Sequence, residues 1–220
     1  MNTIENLKNS FDLEFERTKQ DMNEFSGCAT ASKLFKELLG DKVKILDSFG
    51  SGKLTATFKK IQLEASGVRG YRQIRISNAP QHIVGFELNR YSKFDEVVVG
   101  DIYLDIDFKC IVFKNIEVNA PMGSTHAKFF IKEIGFPDLF YQKKEKVWSQ
   151  LRTSFHGTYE SNYIDLNDCN RLKIPTYTDF THKQQSRSIV LVVGVEFFQN
   201  VGDKYYLFQT GNAAKVLNVF

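Results

Sequence analysis

The sequence predicts an α+β fold, within the broad α/β class, in which an N-terminal helical segment precedes a mixed central β-sheet flanked by helices. Phenylalanine is frequent, at 20 of 220 residues, and aromatic side chains favour sheets. Apolar residues near the N-terminus have helical spacing, whereas residues 101–109 alternate strictly between apolar and polar, as in a strand. The length suits one domain spanning 1–220.

The N-terminal segment, 1–40, is predicted to hold two helices. Gly27 is expected to separate a first helix over 3–25 from a second over 30–39, which Thr30 or Ser32 would cap and Gly40-Asp41 would end. The first helix is indicated by apolar side chains at intervals of mostly three or four residues, namely Ile4, Leu7, Phe11, Phe15, Met22 and Phe25.

A sheet is predicted over 43–135, because four stretches with strand-like composition follow one another. They read KVKILDSFG, KLTATFKKIQLEA, YRQIRIS and QHIVGFELNRY. The GSGK between the first two resembles the end of a phosphate-binding loop. It lacks the first glycine, and Leu54 replaces the Ser or Thr that would hold magnesium, so a turn is the better interpretation.

The centre of this sheet is a predicted hairpin, FDEVVVGDIYLDIDFK, over 94–109 with its turn at Gly100-Asp101. Its second strand should direct alternate side chains to opposite faces. Carboxylates and a lysine on one strand face suit either a metal site or the solvated side of a sheet. The apolar set is Ile102, Leu104, Ile106 and Phe108; the polar set is Asp101, Tyr103, Asp105, Asp107 and Lys109.

The remaining part, 136–220, is predicted to contain a helix, a long loop and a sheet hairpin. The helix would span 138–155 around Trp148, and the polar stretch 156–187 would be a loop. The apolar run 188–198 is typical of a buried central strand, with a turn at 200–203 and KYYLFQT as its hairpin partner. The periodicity of FFIKEIGF does not distinguish helix from strand.

Composition limits the classes of function. No apolar run reaches the roughly 18 residues that span a bilayer, and the acidic N-terminus is not a secretory signal, so we expect a soluble cytoplasmic protein without membrane partners. Three widely spaced cysteines indicate buried reduced thiols. Residues 53–75 carry six basic groups against one acidic group, which suits either a phosphate backbone or an ordinary charged surface.

The hairpin resembles the motif of the PD-(D/E)XK nuclease superfamily, which includes many type II restriction endonucleases. Asp95 matches the first acid, Asp107 the second acid and Lys109 the lysine, while Phe94 replaces the proline that often precedes the first acid. The resemblance implies a restriction-endonuclease-like fold and a magnesium-dependent endonuclease that hydrolyses phosphodiester bonds in double-stranded DNA. It also implies a homodimer, which matches the symmetry of palindromic sites.

In that resemblance, Asp95 and Asp107 would hold Mg²⁺, and Lys109 would assist the attacking water. Two carboxylates on adjacent strands can share one magnesium ion, and the ion lowers the pKa of its bound water. Asp101 and Asp105 are alternative ligands, because they share the polar face.

DNA contacts are predicted in two regions, with an ordinary polar surface as the alternative in both. The loop 119–128 supplies groups for base edges or phosphates, and the basic stretch supplies groups for backbone phosphates. The candidates are Asn119, Ser124, Thr125, His126 and Lys128 in the loop, and Lys60, Arg69 and Arg72 in the basic stretch.

Two other functions remain open from the sequence. Many strands, long polar loops and an apolar C-terminal hairpin also suit a β-rich structural or assembly protein, such as a phage virion or tail component. A nucleic-acid-binding module without catalysis is the third. The nuclease requires the carboxylates of Asp95 and Asp107 to lie within reach of one ion, whereas a flat solvated sheet face would favour the other two.

Overall fold

A computed structural model describes residues 2–44, 46, 49–176, 178 and 187–220, and only the backbone for residues 2–12. The N-terminal segment forms one helix, α1 (Asn2–Leu39), and not the two predicted. Gly27 does not interrupt it. It lies under the Trp148 ring, where a Cβ would come within 2.5 Å of a ring carbon. Thr30 is inside α1 and donates its hydroxyl to the carbonyl of Ser26 at 2.9 Å, so it does not cap a helix.

The prediction of strands over 43–93 is wrong. The stretch KLTATFKKIQLEA forms α2 (Ser51–Leu63), because Leu54, Phe58 and Ile61 fall on one helix face and are fully buried. Short 3-10 helices at Ile76–Asn78 and Pro80–His82 and isolated bridges replace the other strands. Residues 45, 47 and 48 of the first predicted strand lie outside the described residues.

The predicted hairpin over 94–109 is wrong, because one strand runs through its proposed turn at Gly100-Asp101 and pairs with the chain that follows Lys109. A short helix, α3 (Phe94–Val97), precedes β1 (Val98–Asp105), which turns at 106–109 into β2 (Cys110–Val118). Gly100 forms a bulge inside β1 at a φ of 145°, and a Cβ there would come within 2.7 Å of the Asn115 carbonyl oxygen. Glycine therefore marks close strand contact at this position and not a turn.

The following chain is nearly all strand. The helix predicted over 138–155 is wrong, since this region is mostly the β4–β5 hairpin, and three strands lie within the stretch predicted as a loop over 156–187. Residues 177 and 179–186 of that stretch lie outside the described part of the chain. The strands are β3 (His126–Pro137), β4 (Leu139–Gln142), β5 (Val147–Gln150), β6 (Phe155–Glu160), β7 (Ile164–Asp165), β8 (Arg171–Pro175), β9 (Arg187–Val201), β10 (Lys204–Leu207) and β11 (Ala213–Val219).

The predicted buried strand and its hairpin partner are confirmed as β9 and β10. The central sheet has the order β10-β9-β3-β6, with β11 also on β9 and β7 on β3, and FFIKEIGF lies in β3. Each pairing between the described strands is antiparallel, so the expectation of a mixed sheet is wrong.

The central sheet is covered differently on its two faces, which corrects the expectation of helices on both. One face packs under α1 and α2 through residues such as Phe35, Phe58 and Phe136. The other face packs against the small sheet β1-β2-β8, where the rings of Phe113 and Phe129 lie 5.1 Å apart. The α+β class is therefore confirmed, with helices on one face and strands on the other.

No helix among the described residues is long and apolar enough to cross a membrane.

Candidate functional site

The two predicted catalytic acids lie at opposite ends of β1. Asp95 is in α3, before the strand, and its carboxylate accepts a hydrogen bond from the Lys215 ammonium of β11. Asp107 follows the strand. Because β1 has eight residues, its two ends are roughly 23 Å apart. The structure thus does not bring the Asp95 and Asp107 carboxylates within reach of one ion.

Asp107 and Lys109 belong to the hairpin turn and not to a strand. The Asp105 carboxylate accepts a hydrogen bond from the Phe108 amide at 3.2 Å, and the Lys109 amide donates to the Ile106 carbonyl at 3.3 Å. Lys109 has a positive φ of 46°. Aspartate side chains stabilise turns through such local hydrogen bonds, which explains why D-x-D-x-K ends the strand here.

The polar face of β1 is the solvated side of the small sheet. Asp101 lies opposite Lys114 of β2, an oppositely charged cross-strand pair, and Lys114 lies opposite Arg171 of β8. All three side chains are exposed. Ile102 and Leu104 pack against the core on the other face, as predicted. The expectation that Ile106 and Phe108 share this strand face is wrong, because both are exposed in the turn that follows β1.

No group of three His, Cys, Asp or Glu side chains is placed to hold a metal ion in the part of the chain that the structure describes. Magnesium binding by Asp95, Asp107 or the alternatives Asp101 and Asp105 therefore remains a prediction. The cysteines are free and buried, as predicted. Burial raises the pKa of Cys28 to about 12 and that of Cys169 to about 11, so neither is a ready thiolate nucleophile.

The arginines predicted to hold DNA phosphates pair with carboxylates of α1. Arg69 binds Asp21 through two hydrogen bonds of 2.6 and 3.1 Å. Arg72 lies 3.6 Å from the buried carboxylate of Glu24, which also binds Lys59 at 2.5 Å. These pairs hold the loop after α2 against α1. Lys60 is exposed on α2.

The predicted DNA-binding loop is largely engaged with its own surroundings. Asn119 donates to the Glu96 carbonyl at 2.8 Å, and Ser124 donates to the Pro121 carbonyl. The Thr125 hydroxyl accepts from the Asn200 amide at 2.9 Å. These hydrogen bonds tie the loop to α3 and to β9.

His126 and Lys128, at the end of the predicted loop, lie in strand β3. The His126 ring meets Tyr205 edge-on at 5.1 Å, and Lys128 forms an ion pair with Glu160. Lys42 joins Glu160, at 2.7 Å, to Glu196 of β9. Burial opposes ionisation of Glu160, but the hydrogen bonds from Lys128 and Lys42 hold its pKa below the usual value.

Three large apolar side chains are exposed along one face of α1. Phe15, Met22 and Phe25 are 62%, 68% and 62% exposed, at intervals of seven and three residues that place them on one helix face. We call these three residues the α1 stripe. In the sequence, their spacing predicts a helix and no function. The same spacing is the sequence signal that could have indicated an exposed apolar surface on this helix.

The opposite face of α1 contacts the rest of the protein, residues 40–220, which we call the body. Glu24 accepts from the Gly70 amide at 2.9 Å, and Trp148 donates to the Asn23 carbonyl at 3.1 Å, with Gly27 under its ring. At 100° per residue, this contact face lies roughly opposite the α1 stripe. Residues 13–19 are exposed all round, so this part of the helix stands clear of the body.

No family model, curated protein or solved structure matches this chain. The assignment to the PD-(D/E)XK superfamily therefore remains a prediction from the hairpin motif.

Proposed function

We propose that this chain is a structural or assembly protein that self-associates through the α1 stripe. The observation that carries the proposal is the stripe itself, three large apolar side chains more than half exposed on a helix that projects from the body. Contiguous exposed apolar side chains commonly mark protein–protein contacts. A homodimer, first suggested by the nuclease resemblance, finds independent support in this surface.

The energetics favour a partner for α1. Burying the exposed part of each stripe side chain contributes roughly 1–2 kcal/mol. The segment over residues 13–19 receives no support from the body, and short unsupported helices are only marginally stable in water. Association would therefore stabilise the projecting helix as well as remove its apolar face from water.

The rest of the molecule is consistent with a scaffold. Several charged side chains that are candidates for DNA or metal contacts form ion pairs with distant parts of the chain, such as Arg69 with Asp21 and Lys128 with Glu160. The polar face of the small sheet is exposed at Asp101 and Tyr103, which fits a solvated surface of a non-catalytic protein. DNA cleavage with magnesium remains a prediction that the Asp95–Asp107 separation does not favour.

Sedimentation equilibrium of the full chain tests the proposal. The wild type should show a mass above the 25.3 kDa of one chain, rising with concentration. The triple variant Phe15→Gln, Met22→Gln, Phe25→Gln should show the mass of one chain with unchanged circular dichroism from the strands. Leu13→Gln is the matched control, because Leu13 is equally exposed at 62% but lies off the stripe. A wild type that stays a single chain at high concentration would contradict the proposal.

A further inference from the structure

We infer that the partner of the α1 stripe is the same helix of a second copy, aligned parallel and in register as a two-stranded coiled coil. This inference rests on the proposed function and goes further, because self-association through α1 could equally place the stripe on a different surface of the second copy. That head-to-tail arrangement would build rings or open filaments, whereas pairing of identical helices closes at two.

The first argument is the heptad spacing. Phe15 and Met22 occupy successive a positions, and Thr18 and Phe25 occupy the d positions that follow them. In the sequence, the same register places Phe11 and Ile4 at earlier d positions and Lys8 at an a position. Polar residues at single seam positions, here Lys8 and Thr18, select register and low oligomer number at a cost in stability.

The second argument is charge complementarity. In this register Glu14 is a g position and Lys19 is the e position of the next heptad. A parallel pair brings Glu14 of one copy beside Lys19 of the partner subunit, and the two-fold axis repeats the contact. An antiparallel pair sets g against g, where Glu14 meets Glu14 or Asp21 of the partner subunit, so acidic side chains are joined and the Glu14–Lys19 pair is lost. The charges therefore select the parallel orientation.

Lys19 is placed to make that contact. Within one chain its ammonium lies 3.0 Å from Glu16 and 4.3 Å from the centre of the Phe15 ring. Both members of the Glu16 pair are more than half exposed, so the pair is weak and easily exchanged. Lys19 thus flanks the stripe, as e-position lysines flank a coiled-coil seam.

The fold leaves room for such a pair. The body contacts α1 through residues such as Asn23, Glu24 and Gly27, on the face opposite the stripe. Two copies can therefore join stripe to stripe while their bodies lie on the outer sides. The part of α1 that precedes the contact of Gln20 with Gly70 is about 27 Å long, which is about two and a half heptads.

Disulfide trapping tests the orientation. In the full chain, Thr18→Cys places a thiol on the seam, where identical residues of a parallel pair approach within disulfide range. With oxidised glutathione as oxidant, most of this variant should become a linked dimer. The native cysteines are buried, so they compete little. The control Arg17→Cys, also exposed but at an outer c position, should link ~10-fold more slowly.

Charge reversal tests the register. Glu14→Lys and Lys19→Glu should each weaken dimerisation ~5-fold, and the double variant should return to the wild-type dissociation constant. The parallel pair would be overturned if the Thr18→Cys variant did not link or if the double variant did not recover the wild-type dissociation constant. In either case, a dimer mass that still depends on the α1 stripe would leave the proposed function standing. A wild type with the mass of one chain would overturn both.

Discussion

The β1–β2 hairpin and the N-terminal half of α1 are both amphipathic, yet the fold treats them in opposite ways. In the hairpin, the apolar side chains of Ile102, Leu104 and Phe113 face the core, and the charged face meets solvent. In α1, the face that carries Asn23, Glu24 and Gly27 meets the body, and the apolar stripe is bare. An amphipathic pattern thus indicates that an apolar face is suited to burial, but it does not show whether the same chain or a second chain buries it.

The largest contrast should come from one phenylalanine in each region. Phe113→Ala should lower the free energy of unfolding by about 3–5 kcal/mol, because Phe113 is fully buried against Phe129. Phe25→Ala should change the stability of the single chain by less than about 0.5 kcal/mol. Urea denaturation at low protein concentration measures both. Equal losses would mean that Phe25 is covered within one chain.

A substitution on the buried face of α1 should weaken the contact between this helix and the body. Gly27→Ala would ordinarily favour a helix, but the new methyl group would meet the Trp148 ring at 2.5 Å. We expect a loss of about 1–3 kcal/mol in unfolding free energy and a shift in tryptophan fluorescence. Ser26→Ala is the neighbouring control on an exposed position. A stabilised Gly27→Ala would show that α1 does not lie against Trp148.

A smaller effect, dependent on pH, is expected at the charge cluster of β3, β6 and β9. The folded state holds the pKa of Glu160 below its usual value, so ionised Glu160 stabilises the fold above about pH 4.5. This stabilisation is lost as the pH falls through the lowered folded pKa. The difference in urea midpoint between wild type and Glu160→Gln should be present at pH 7 and fade below pH 4.5. A difference that grows in acid would contradict the assigned sign.

The smallest effects are expected in the hairpin turn. Asp107→Ala should change the unfolding free energy by less than about 0.5 kcal/mol, because Asp107 is exposed in the turn. With plasmid DNA and Mg²⁺, wild type, Asp107→Ala and Lys109→Ala should be equally inert over varied sequences. A commercial restriction enzyme serves as the positive control. Magnesium-dependent cleavage that disappears in both variants would restore the nuclease interpretation.

The sequence was informative where one local pattern dominated. The alternation at Ile102 and Leu104 placed these side chains correctly, and the apolar run 188–198 is buried in β9. The predicted strand over 53–65 is wrong. Its β-branched residues favour a strand, whereas the spacing of its apolar residues suits a helix, and burial of Phe58 against Phe136 decides for the helix. The hairpin turn was misplaced because glycine serves bulges as well as turns.

The candidate nuclease site was a judgement about distance, which one strand of sequence does not supply. Asp95 and Asp107 lie on adjacent strands only if the chain turns at Gly100-Asp101. With the turn at 106–109, β1 separates them. Similarly, the positive charge of Arg69 and Arg72 was visible in the sequence, whereas their partners Asp21 and Glu24 lie almost fifty residues away.

By itself, the sequence determined an N-terminal helix, strands with one solvated face and a buried central strand. These features follow from periodicity, which reflects local backbone geometry. Only the tertiary structure decided which face of α1 is used. Phe15, Met22 and Phe25 have the same apolar character as the buried Cys28 and Phe35. The contacts with Arg69, Gly70 and Trp148 turn the second set inward and leave the stripe exposed.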